Sequence, residues 1–372
     1  MIHTTLLVGT LLALFVALVI SFAMTPAVKR FAQRVGAIDN PGEARRVHDH
    51  PIPRMGGLAI FLGFIIAVLL FAQITVQVRG ILLGAILIVV CGAVDDIISL
   101  RAWIKFLVQI AAAVIAVLHG VVIQVLMNPN VFAAKEHLIL GIFSVPITII
   151  WIVAITNSVN LIDGLDGLAV GVSTISSVTM FIIALLVSQG NVMVIMAALA
   201  GACIGFLPYN RNPAKIFMGD TGALLLGYIL STMSVLGLFK FYAVVSFAVP
   251  FLVLAVPFFD TAFAFFRRLF KGQNPMKPDR GHFHHRLIAL GLSQKQAVFI
   301  LYGVSAVLGM CAVVISASGK LKILILILAI LVAAGIVAYA MKSLHSSGAA
   351  ANGKTPEERA APPDKDKEDD KP

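Results

Sequence analysis

Side chains with oxygen atoms recur every third residue in one stretch of the chain: Asn157, Asn160, Asp163 and Asp166. This stretch separates two long apolar runs. Residues three apart share one face of a helix, so the spacing predicts a row of amide and carboxylate oxygens. A carboxylate at the edge of a bilayer is costly unless it pairs, hydrates or binds a cation. We therefore predict a functional site here; a polar loop that merely joins two membrane helices is the alternative.

Three further acids stand at the ends of apolar runs. Asp95 and Asp96 close one run, and Asp220 opens another. Carboxylates gathered on one side of a membrane repel one another unless a positive charge lies among them. Carboxylate and amide oxygens suit Mg²⁺, which also bridges to substrate phosphates. The acids therefore predict a divalent-cation site, and hydrated helix caps are the alternative.

Basic and aromatic side chains accompany these acids. Lys105 follows the pair of acids at the start of the next apolar run, where it suits either a phosphate or the membrane boundary. The segment NRNPAKIFMGDTG at residues 210–222 combines amides, basic groups and Phe217 ahead of Asp220. That combination favours a nucleotide and metal site over a simple helix cap.

Histidines and arginines cluster in the segment DRGHFHHR at residues 279–286. Imidazole N–H groups and guanidinium forks suit a pyrophosphate, which favours anion binding. Zinc is disfavoured because no cysteine is near and the acids are oxygen donors. A basic loop that binds anionic lipid is the remaining alternative. Arg54 adds a basic group beside Gly56 and Gly57, which permit close backbone contact.

The composition is that of an integral membrane protein, because hydrophobic residues make up 59% of 372 and charged residues only 12%. Soluble domains carry about 25% charged residues. Apolar runs near the roughly 20 residues that cross a bilayer recur along the chain. They predict an all-α polytopic fold with eleven spans, near residues 4–23, 56–73, 80–94, 103–124, 138–156, 168–187, 192–208, 219–237, 242–262, 296–316 and 320–341.

Basic residues predict the orientation in the bilayer. One set of loops, with the C-terminal tail, holds every Lys and Arg except Arg79, Lys135, Lys240, Lys320 and Lys322. The basic side is expected to be cytoplasmic, which puts the N-terminus outside and the C-terminus inside. The net charge of +10 then reflects this bias, and we expect no nucleic-acid partner. The acids described above fall on the same cytoplasmic side.

Two regions are predicted. Residues 1–342 form a transmembrane catalytic domain, and residues 343–372 form a disordered, charged cytoplasmic tail rich in Ala, Pro, Lys, Asp and Glu. A site at the membrane edge suits one water-soluble and one lipid-soluble partner. The residues therefore predict phosphoryl chemistry between a nucleotide and a lipid. A cation-coupled transporter is the alternative from another class, but its acids are expected near the bilayer midplane.

Five motifs carry a resemblance to a known family: PRMGG (53–57), VDD (94–96), NSVNLIDGLDG (157–167), NPAKIFMGDTG (212–222) and HFHHRL (282–287). The chain resembles the polyprenyl-phosphate N-acetylhexosamine-1-phosphate transferases of glycosyltransferase family 4. The resemblance implies a multi-pass protein of the bacterial plasma membrane with a cytoplasmic active site. It also implies that a polyprenyl phosphate attacks the β-phosphorus of a UDP-N-acetylsugar and that UMP leaves. Mg²⁺, or Mn²⁺ in its place, would neutralise the pyrophosphate.

The resemblance further implies roles for individual residues. The metal ligands are expected to be Asp220 and Asn160. The catalytic acids are expected to be Asp95, Asp96 and Asp163, of which the last lines the metal pocket. Lys105 is expected to hold the lipid phosphate. The remaining substrate contacts are expected to be Asp166, Asn210 and Phe217 on the uridine, then His282, His284, His285 and Arg286 on the pyrophosphate or sugar, with Arg54 as a further contact.

The branch of the family decides the substrate that the resemblance implies. The HFHHRL motif and the PIPRMGG loop resemble the branch that uses UDP-GlcNAc and undecaprenyl phosphate to start teichoic acid, O-antigen or a related surface polymer. The phospho-MurNAc-pentapeptide transferases of peptidoglycan synthesis usually have a longer histidine run and a Thr-Pro-containing first loop. They are the alternative within the family. The sequence leaves a homodimer open as the assembly.

Overall fold

A computed structural model of the protein describes residues 2–39, 51–127, 137–237, 248–270, 283–317 and 319–352. The described chain is almost entirely helical, as predicted. Its helices are α1 (Ile2–Arg34), α2 (Gly57–Phe71), α3 (Val76–Ile98), α4 (Ala102–Leu118), α5 (Ser144–Ile162), α6 (Leu168–Leu186), α7 (Gly190–Asn210), α8 (Gly219–Gly237), α9 (Ala248–Val253), α10 (Ala255–Phe270), α11 (Phe283–Ala289), α12 (Gln294–Ser316) and α13 (Gly319–Asn352).

Two short antiparallel hairpins interrupt the helices. Strand β1 (Ile38–Asp39) pairs with β2 (Ile52–Pro53), and β3 (Val125–Met127) pairs with β4 (His137–Ile139). The first hairpin is the one that matters for the site, because it fixes the chain on either side of Arg54. The Arg54 N–H donates to the Ala37 carbonyl oxygen at 2.9 Å.

Eight helical segments of the described chain are long and apolar enough to cross a membrane: Leu6–Arg34, Val76–Ile98, Gly141–Ile162, Leu168–Leu186, Gly190–Asn210, Gly219–Gly237, Gln294–Ser316 and Leu321–Leu344. Helices α2 and α4 are apolar but shorter. An all-α polytopic membrane protein is therefore confirmed. The count of eleven spans and the orientation remain predictions. The predicted range 242–262 meets α9 and α10, and its first residues lie outside the described chain.

Helix α8 is the most enclosed of these spans and carries Asp220 in its first turn. Glycines let neighbouring helices approach its backbone. A Cβ added to Gly57 of α2 would lie 2.0 Å from the Gly222 nitrogen, and one added to Gly92 of α3 would lie 2.5 Å from the Thr221 Cα. Small residues allow close helix packing where lipid supplies no hydrophobic driving force. This packing brings α2 and α3 to the N-terminal end of α8.

Helices α5 and α8 pack with opposite directions. The Trp151 Nε1–H donates to Ser234 Oγ at 2.9 Å, and one turn nearer the site a Cβ added to Gly227 would lie 2.6 Å from the Thr156 Cα. Continued in the same register, the C-terminal end of α5 arrives at the N-terminal end of α8. Asp163, which follows α5, is thereby directed towards Asp220.

The predicted row of four oxygen-bearing side chains is not one continuous helical face. Helix α5 ends at Ile162, and Gly167 has a φ of +79°, a conformation that favours glycine. The chain turns there into α6, so Asp166 leaves the face that Asn157 occupies. Asn157 lies inside the bundle, where its amide and that of Gln109 each donate to the other's oxygen. The period of three residues was right for α5 and wrong beyond it.

The C-terminal boundary also differs from the prediction. Helix α13 continues past Lys342 to Asn352, so the first part of the predicted tail is helical. The apolar run of α13 extends into a stretch rich in Ala, which has the highest helix propensity. Residues 353–372 lie outside the described chain, and their predicted disorder stays a prediction.

Candidate metal and phosphate site

Three acids from two distant segments meet at one end of the bundle. Asp95 and Asp96 lie in the last turns of α3, and Asp220 lies in the first turn of α8. One carboxylate oxygen from each lies within 4.8 Å of the others. Asp95 and Asp96 are buried, and Asp220 is partly buried. The structure thus brings together three of the predicted acids in one cluster that is able to hold a cation.

Asp96 caps the N-terminus of α8. Its Oδ1 accepts the Asp220 backbone N–H at 3.0 Å, and its Oδ2 accepts the Thr221 N–H at 3.1 Å and the Thr221 hydroxyl at 2.6 Å. The first N–H groups of a helix lack partners within the helix, and a carboxylate there is stabilised by the helix dipole. Asp96 was predicted as a catalytic acid. Its hydrogen bonds hold the backbone of Asp220 and Thr221, and its catalytic role stays a prediction.

Lys105 joins the other two acids. Its ammonium donates to Asp220 Oδ2 at 2.7 Å and to Asp95 Oδ2 at 3.2 Å. The second oxygen of Asp95 accepts the Leu100 backbone N–H at 2.8 Å, where α3 ends. Gln109 lies one turn beyond Lys105 on α4, and its side-chain amide pairs with that of Asn157. Ala112 lies about one turn further, and its carbonyl oxygen accepts the Tyr228 hydroxyl. Successive turns of one face of α4 are thereby anchored to α5 and α8.

Arg54 approaches the cluster from the opposite side. The loop that carries it pairs with residues 217–218 as in a short ladder: Phe217 N–H donates to the Pro53 oxygen at 2.8 Å, and Gly56 N–H donates to the Phe217 oxygen at 2.9 Å. The guanidinium then lies 3.5 Å from Asp96 and 3.9 Å from Asp220. The predicted basic group of the first loop therefore belongs to the acid cluster.

Asp39 is a further acid of the site, and sequence analysis missed it. Its carboxylate lies 3.8 Å from the Arg54 guanidinium, which it reaches through the β1–β2 hairpin. Burial alone lowers the pKa of Arg54, but the carboxylates of Asp96, Asp220 and Asp39 outweigh it and raise the pKa. Arg54 thus stays charged at any physiological pH.

Asp163 lies near the same charges. Burial raises the pKa of its carboxyl to about 7, the negative charge of Asp220 adds to the rise, and Arg54 opposes it. Electrostatic interaction with Asp220 agrees with the register of α5 against α8. Asn160 lies one turn earlier and is partly buried. Its predicted pairing with Asp220 on a metal stays a prediction.

The predicted uridine contacts come from three places: Asp166 from the turn between α5 and α6, Asn210 from the end of α7, and Phe217 from the loop that joins α7 to α8. Asp166 Oδ2 accepts the Asn212 amide at 2.9 Å and the Ala214 N–H at 3.0 Å. The Asn210 amide donates to the Ile216 carbonyl oxygen at 3.1 Å, and the Oδ1 of Asn210 is buried with no hydrogen-bond partner in the described chain. Asp166 therefore holds the loop, whereas Asn210 has an acceptor to offer a ligand.

The histidine segment reaches the loop that carries Asp163. His284 is buried, and its Nε2 would lie 2.7 Å from a Cβ added to Gly164. Asp260 of α10 accepts the Phe283 N–H at 2.8 Å and so anchors the start of α11. The two ring centroids of His284 and His285 are 4.3 Å apart, and Arg286 lies over the Phe263 ring at 4.9 Å. His282 lies outside the described residues.

Comparison with known proteins decides the family. The profile described as glycosyl transferase family 4 matches residues 78–238. The probable undecaprenyl-phosphate N-acetylglucosaminyl 1-phosphate transferase of Bacillus subtilis (strain 168) is 42% identical over 315 residues, which are 84% of this chain and 86% of that protein. This chain belongs to glycosyl transferase family 4. The resemblance that the five motifs carry is confirmed.

The names of two other relatives state related substrates for those proteins. The decaprenyl-phosphate N-acetylglucosaminephosphotransferase of Mycolicibacterium smegmatis (strain ATCC 700084 / mc(2)155) is 38% identical over 77% of this chain and 77% of that protein. A phospho-N-acetylmuramoyl-pentapeptide-transferase of Desulfitobacterium hafniense (strain DSM 10664 / DCB-2) is 34% identical over 60% of this chain and 73% of that protein. The pentapeptide branch is thus the more distant of the two.

Several residues of the family 4 site escaped sequence analysis because they act through partners far along the chain. Asp39, Gln109 and Asp260 are single polar residues within apolar or mixed segments. Tyr302 of α12 is another, and its hydroxyl donates to the Gly167 carbonyl oxygen at 2.5 Å. A buried acid or amide in an apolar run is expensive, and that cost is the one signal in the sequence that could have pointed to Gln109 and Asp260.

The donor set fits a hard divalent cation. Asp95, Asp96 and Asp220 supply carboxylate oxygens, which are the ligands that Mg²⁺ and Mn²⁺ prefer. Lys105 and Arg54 already approach these oxygens, as expected where uncompensated negative charge accumulates in a partly buried site. The cluster therefore requires positive charge even without a metal ion.

The raised pKa of Asp163 predicts a pH-dependent stability. Its unfolded pKa is about 3.9, and its folded pKa is about 7. Between these values the folded state binds more protons than the unfolded state, so its contribution to stability is lost as pH rises. In EDTA at pH 8, Asp163→Asn should melt at a higher temperature than the wild type. The difference in melting temperature between the two proteins should be smaller at pH 5. A margin that does not change with pH would contradict the prediction.

Proposed function

We propose that the protein transfers GlcNAc-1-phosphate from UDP-GlcNAc to undecaprenyl phosphate, in the first membrane step of a cell-surface polymer such as teichoic acid or O-antigen. UMP is released and undecaprenyl-diphosphate-GlcNAc is formed. The observation that carries the proposal is the cluster of Asp95, Asp96 and Asp220 with Lys105 and Arg54 at one end of a membrane bundle. Membership of family 4 supports the same reaction.

The chemistry needs little from the protein beyond charge and position. An oxygen of the acceptor phosphate forms a bond to the β-phosphorus, and the bond from that phosphorus to the bridging oxygen breaks, so that the electron pair leaves with UMP. The second pKa of a phosphate monoester is about 6, so the acceptor is largely dianionic at neutral pH. Asp95 is therefore not required as a base, and in the structure its carboxylate accepts a hydrogen bond from the Lys105 ammonium.

Mg²⁺ would be held by Asp220 and its neighbouring carboxylates and would neutralise charge on the pyrophosphate. Asp96 holds Asp220 in place through the first turn of α8. Asn210 offers a buried acceptor to the nucleobase, and Phe217 lies in the same loop. His284 and His285 approach the Asp163 loop, where N–H donors suit a diphosphate.

The membrane setting completes the proposal. We place the acid cluster at the cytoplasmic face of the bacterial plasma membrane, with eleven spans, the N-terminus outside and the C-terminus inside. The acids lie at helix ends, as a transferase that joins a soluble donor to a lipid requires. Transport would favour acids near the middle of spans. A homodimer is part of this proposal as the assembly, and sedimentation of the detergent-solubilised protein tests it.

Release of UMP tests the reaction and its donor. The purified full-length protein is incubated with undecaprenyl phosphate, Mg²⁺ and one of UDP-GlcNAc, UDP-GalNAc or UDP-MurNAc-pentapeptide. We expect UMP and a lipid-linked sugar with UDP-GlcNAc, and no product when EDTA replaces Mg²⁺. Turnover of UDP-MurNAc-pentapeptide in preference to UDP-GlcNAc would favour the peptidoglycan branch, and no UMP with any donor would refute the transferase.

Lys105→Ala should weaken binding of the lipid phosphate more than binding of the nucleotide. Hydrogen bonds to charged groups are worth about 1.5–3 kcal/mol, or about ten- to a hundredfold in affinity. We therefore expect a rise of that size in the KM for undecaprenyl phosphate, with the KM for UDP-GlcNAc changed by about twofold or less. Lys295→Ala is the control, because its side chain is exposed at the start of α12. Equal changes in both KM values would count against this role.

A further inference from the structure

Every carboxylate oxygen of the cluster already faces a donor of the protein. Both oxygens of Asp96 accept from the first turn of α8, and Asp95 Oδ1 accepts the Leu100 N–H. The remaining oxygen of Asp95 and the Oδ2 of Asp220 share the Lys105 ammonium. Asp220 Oδ1 faces Arg54 at 3.9 Å. A hydrogen-bonded carboxylate oxygen can still coordinate a metal through its second lone pair, but a cation that bridges Asp95 and Asp220 meets the Lys105 ammonium, which already lies between them.

The donors differ in their freedom to leave. The donors on Asp96 belong to the first turn of α8, so their release would uncap that helix, and the Leu100 N–H on Asp95 is a backbone group just past the end of α3. The Lys105 ammonium is carried on a flexible chain, and its side chain is 21% exposed. Its Nζ lies between Asp95 and Asp220, which is the place of an ion that bridges those two carboxylates. Arg54 contacts Asp220 only at ion-pair distance. Lys105 is therefore the group that moves.

We propose that Lys105 and a divalent cation compete for the carboxylates of Asp95 and Asp220, and that the ammonium released by this competition receives the acceptor phosphate. Like charges repel, and an ammonium next to a divalent ion is repelled twice as strongly as next to a monovalent one. The freed ammonium stays on α4, which Gln109 and Ala112 anchor. It remains within reach of the site and is available to a phosphate dianion.

This exchange couples the two ligands. The metal-loaded protein presents a free ammonium to the lipid phosphate, and a bound phosphate holds the ammonium away from the acids. Each ligand therefore raises the affinity of the other by the same factor, since binding linkage is reciprocal. The second half of this inference depends on the proposed function, because it assumes a phosphate acceptor. The first half concerns the metal alone and is tested without any substrate.

Binding of Mn²⁺ alone tests the competition. Electron paramagnetic resonance of free Mn²⁺ measures the dissociation constant for the detergent-solubilised full-length protein, with no sugar nucleotide or lipid phosphate present. We expect Lys105→Met to bind Mn²⁺ about tenfold or more tightly than the wild type, because the ammonium no longer occupies the carboxylates. Unchanged or weaker binding by a folded Lys105→Met variant would overturn the proposal. Transfer activity plays no part in this readout.

Three variants control the experiment. Lys105→Arg keeps a positive charge at the site, so its dissociation constant should stay within about threefold of the wild type. Lys295→Met removes the same charge from an exposed position at the start of α12 and should also bind as the wild type does. Asp220→Asn should abolish the tightening when combined with Lys105→Met, which locates the ion at the cluster. Tightening in Lys295→Met equal to that in Lys105→Met would refute a local competition.

A measurement on the unmodified chain keeps the test independent of folding defects. Brief acetylation followed by mass spectrometry reports the reactivity of each lysine ammonium. We expect Mg²⁺ to raise the acetylation rate of Lys105 severalfold and to leave that of the exposed Lys295 unchanged. Equal or slower acetylation of Lys105 in Mg²⁺ would show that the ammonium stays on the carboxylates. If Lys105 is released but no transfer occurs with any donor, the competition holds and the proposed function fails.

Discussion

Replacing Asp220 by asparagine should lower UMP release by at least about a thousandfold. The substitution keeps the size of the side chain but removes one of the three carboxylates that would hold a metal ion. That ion would neutralise charge on the pyrophosphate. A metal contribution of several kcal/mol to the transition state corresponds to roughly three factors of ten in rate. The rate is measured at saturating UDP-GlcNAc and undecaprenyl phosphate, so that it reports kcat and not substrate affinity.

The variant also loses the acceptor that Lys105 uses, so its fold needs a separate check. We expect Asp220→Asn to keep a cooperative melt and a monodisperse elution in detergent, because the Asp220 backbone N–H still donates to Asp96. Its Mn²⁺ binding should be weakened at least tenfold. A folded Asp220→Asn variant with more than a tenth of wild-type kcat would remove this residue from the metal site.

Gly219→Ala should reduce kcat by about a hundredfold or more without touching any group that meets the substrate. Gly219 has a φ of +70°, and a Cβ there would lie 2.3 Å from Asp96 Oδ2. Asp96 must then move, and with it the first turn of α8 and the Asp220 carboxylate that this turn carries. A misplacement of about 1 Å at a reacting centre costs about a hundredfold in rate. UMP release measures the loss.

The control for Gly219→Ala separates the clash from backbone strain. Gly120 also has a positive φ, of +86°, but the nearest atom to an added Cβ is Gln77 Nε2 at 3.6 Å. Gly120→Ala therefore carries similar strain with no crowded neighbour, at the opposite end of α4. It should lose some thermal stability and keep most of the wild-type kcat. Equal loss of kcat in both variants would show that strain, not the position of Asp96, explains the effect.

In the site, interactions with other groups of the protein offset the energetic cost of burying carboxylates when no substrate is bound. Among the described residues, the acids around Asp95, Asp96 and Asp220 outnumber the cations there, and each acid is paired, hydrogen-bonded or, for Asp163, held with a raised pKa. Removing one member of such a buried network leaves the others uncompensated. Activity and folding therefore need separate measurements for every variant of these acids.

The sequence alone was enough to predict that the protein is an all-α polytopic membrane protein and to identify its family, whereas the count of eleven spans stays a prediction. Long apolar runs are a local property, because each helix in a bilayer must satisfy its own backbone and meet lipid with its own side chains. The ends of those runs therefore showed where the acids stand. The motifs around Asp95, Asp163 and Asp220 were contiguous in sequence, so the family resemblance could be read from them directly.

Only the tertiary structure decided which group faces which. Lys105 and Asp220 are separated by more than a hundred residues, and so are Asp96 and Thr221. Those pairs depend on the close approach of α3 to α8 at Gly92, a packing detail that hydropathy does not encode. The sequence therefore did not reveal that Asp96 caps α8, and its predicted catalytic role stays a prediction. The periodicity of a helix predicts on which face of that helix a residue lies. The residue that it contacts on another helix depends on how the two backbones pack.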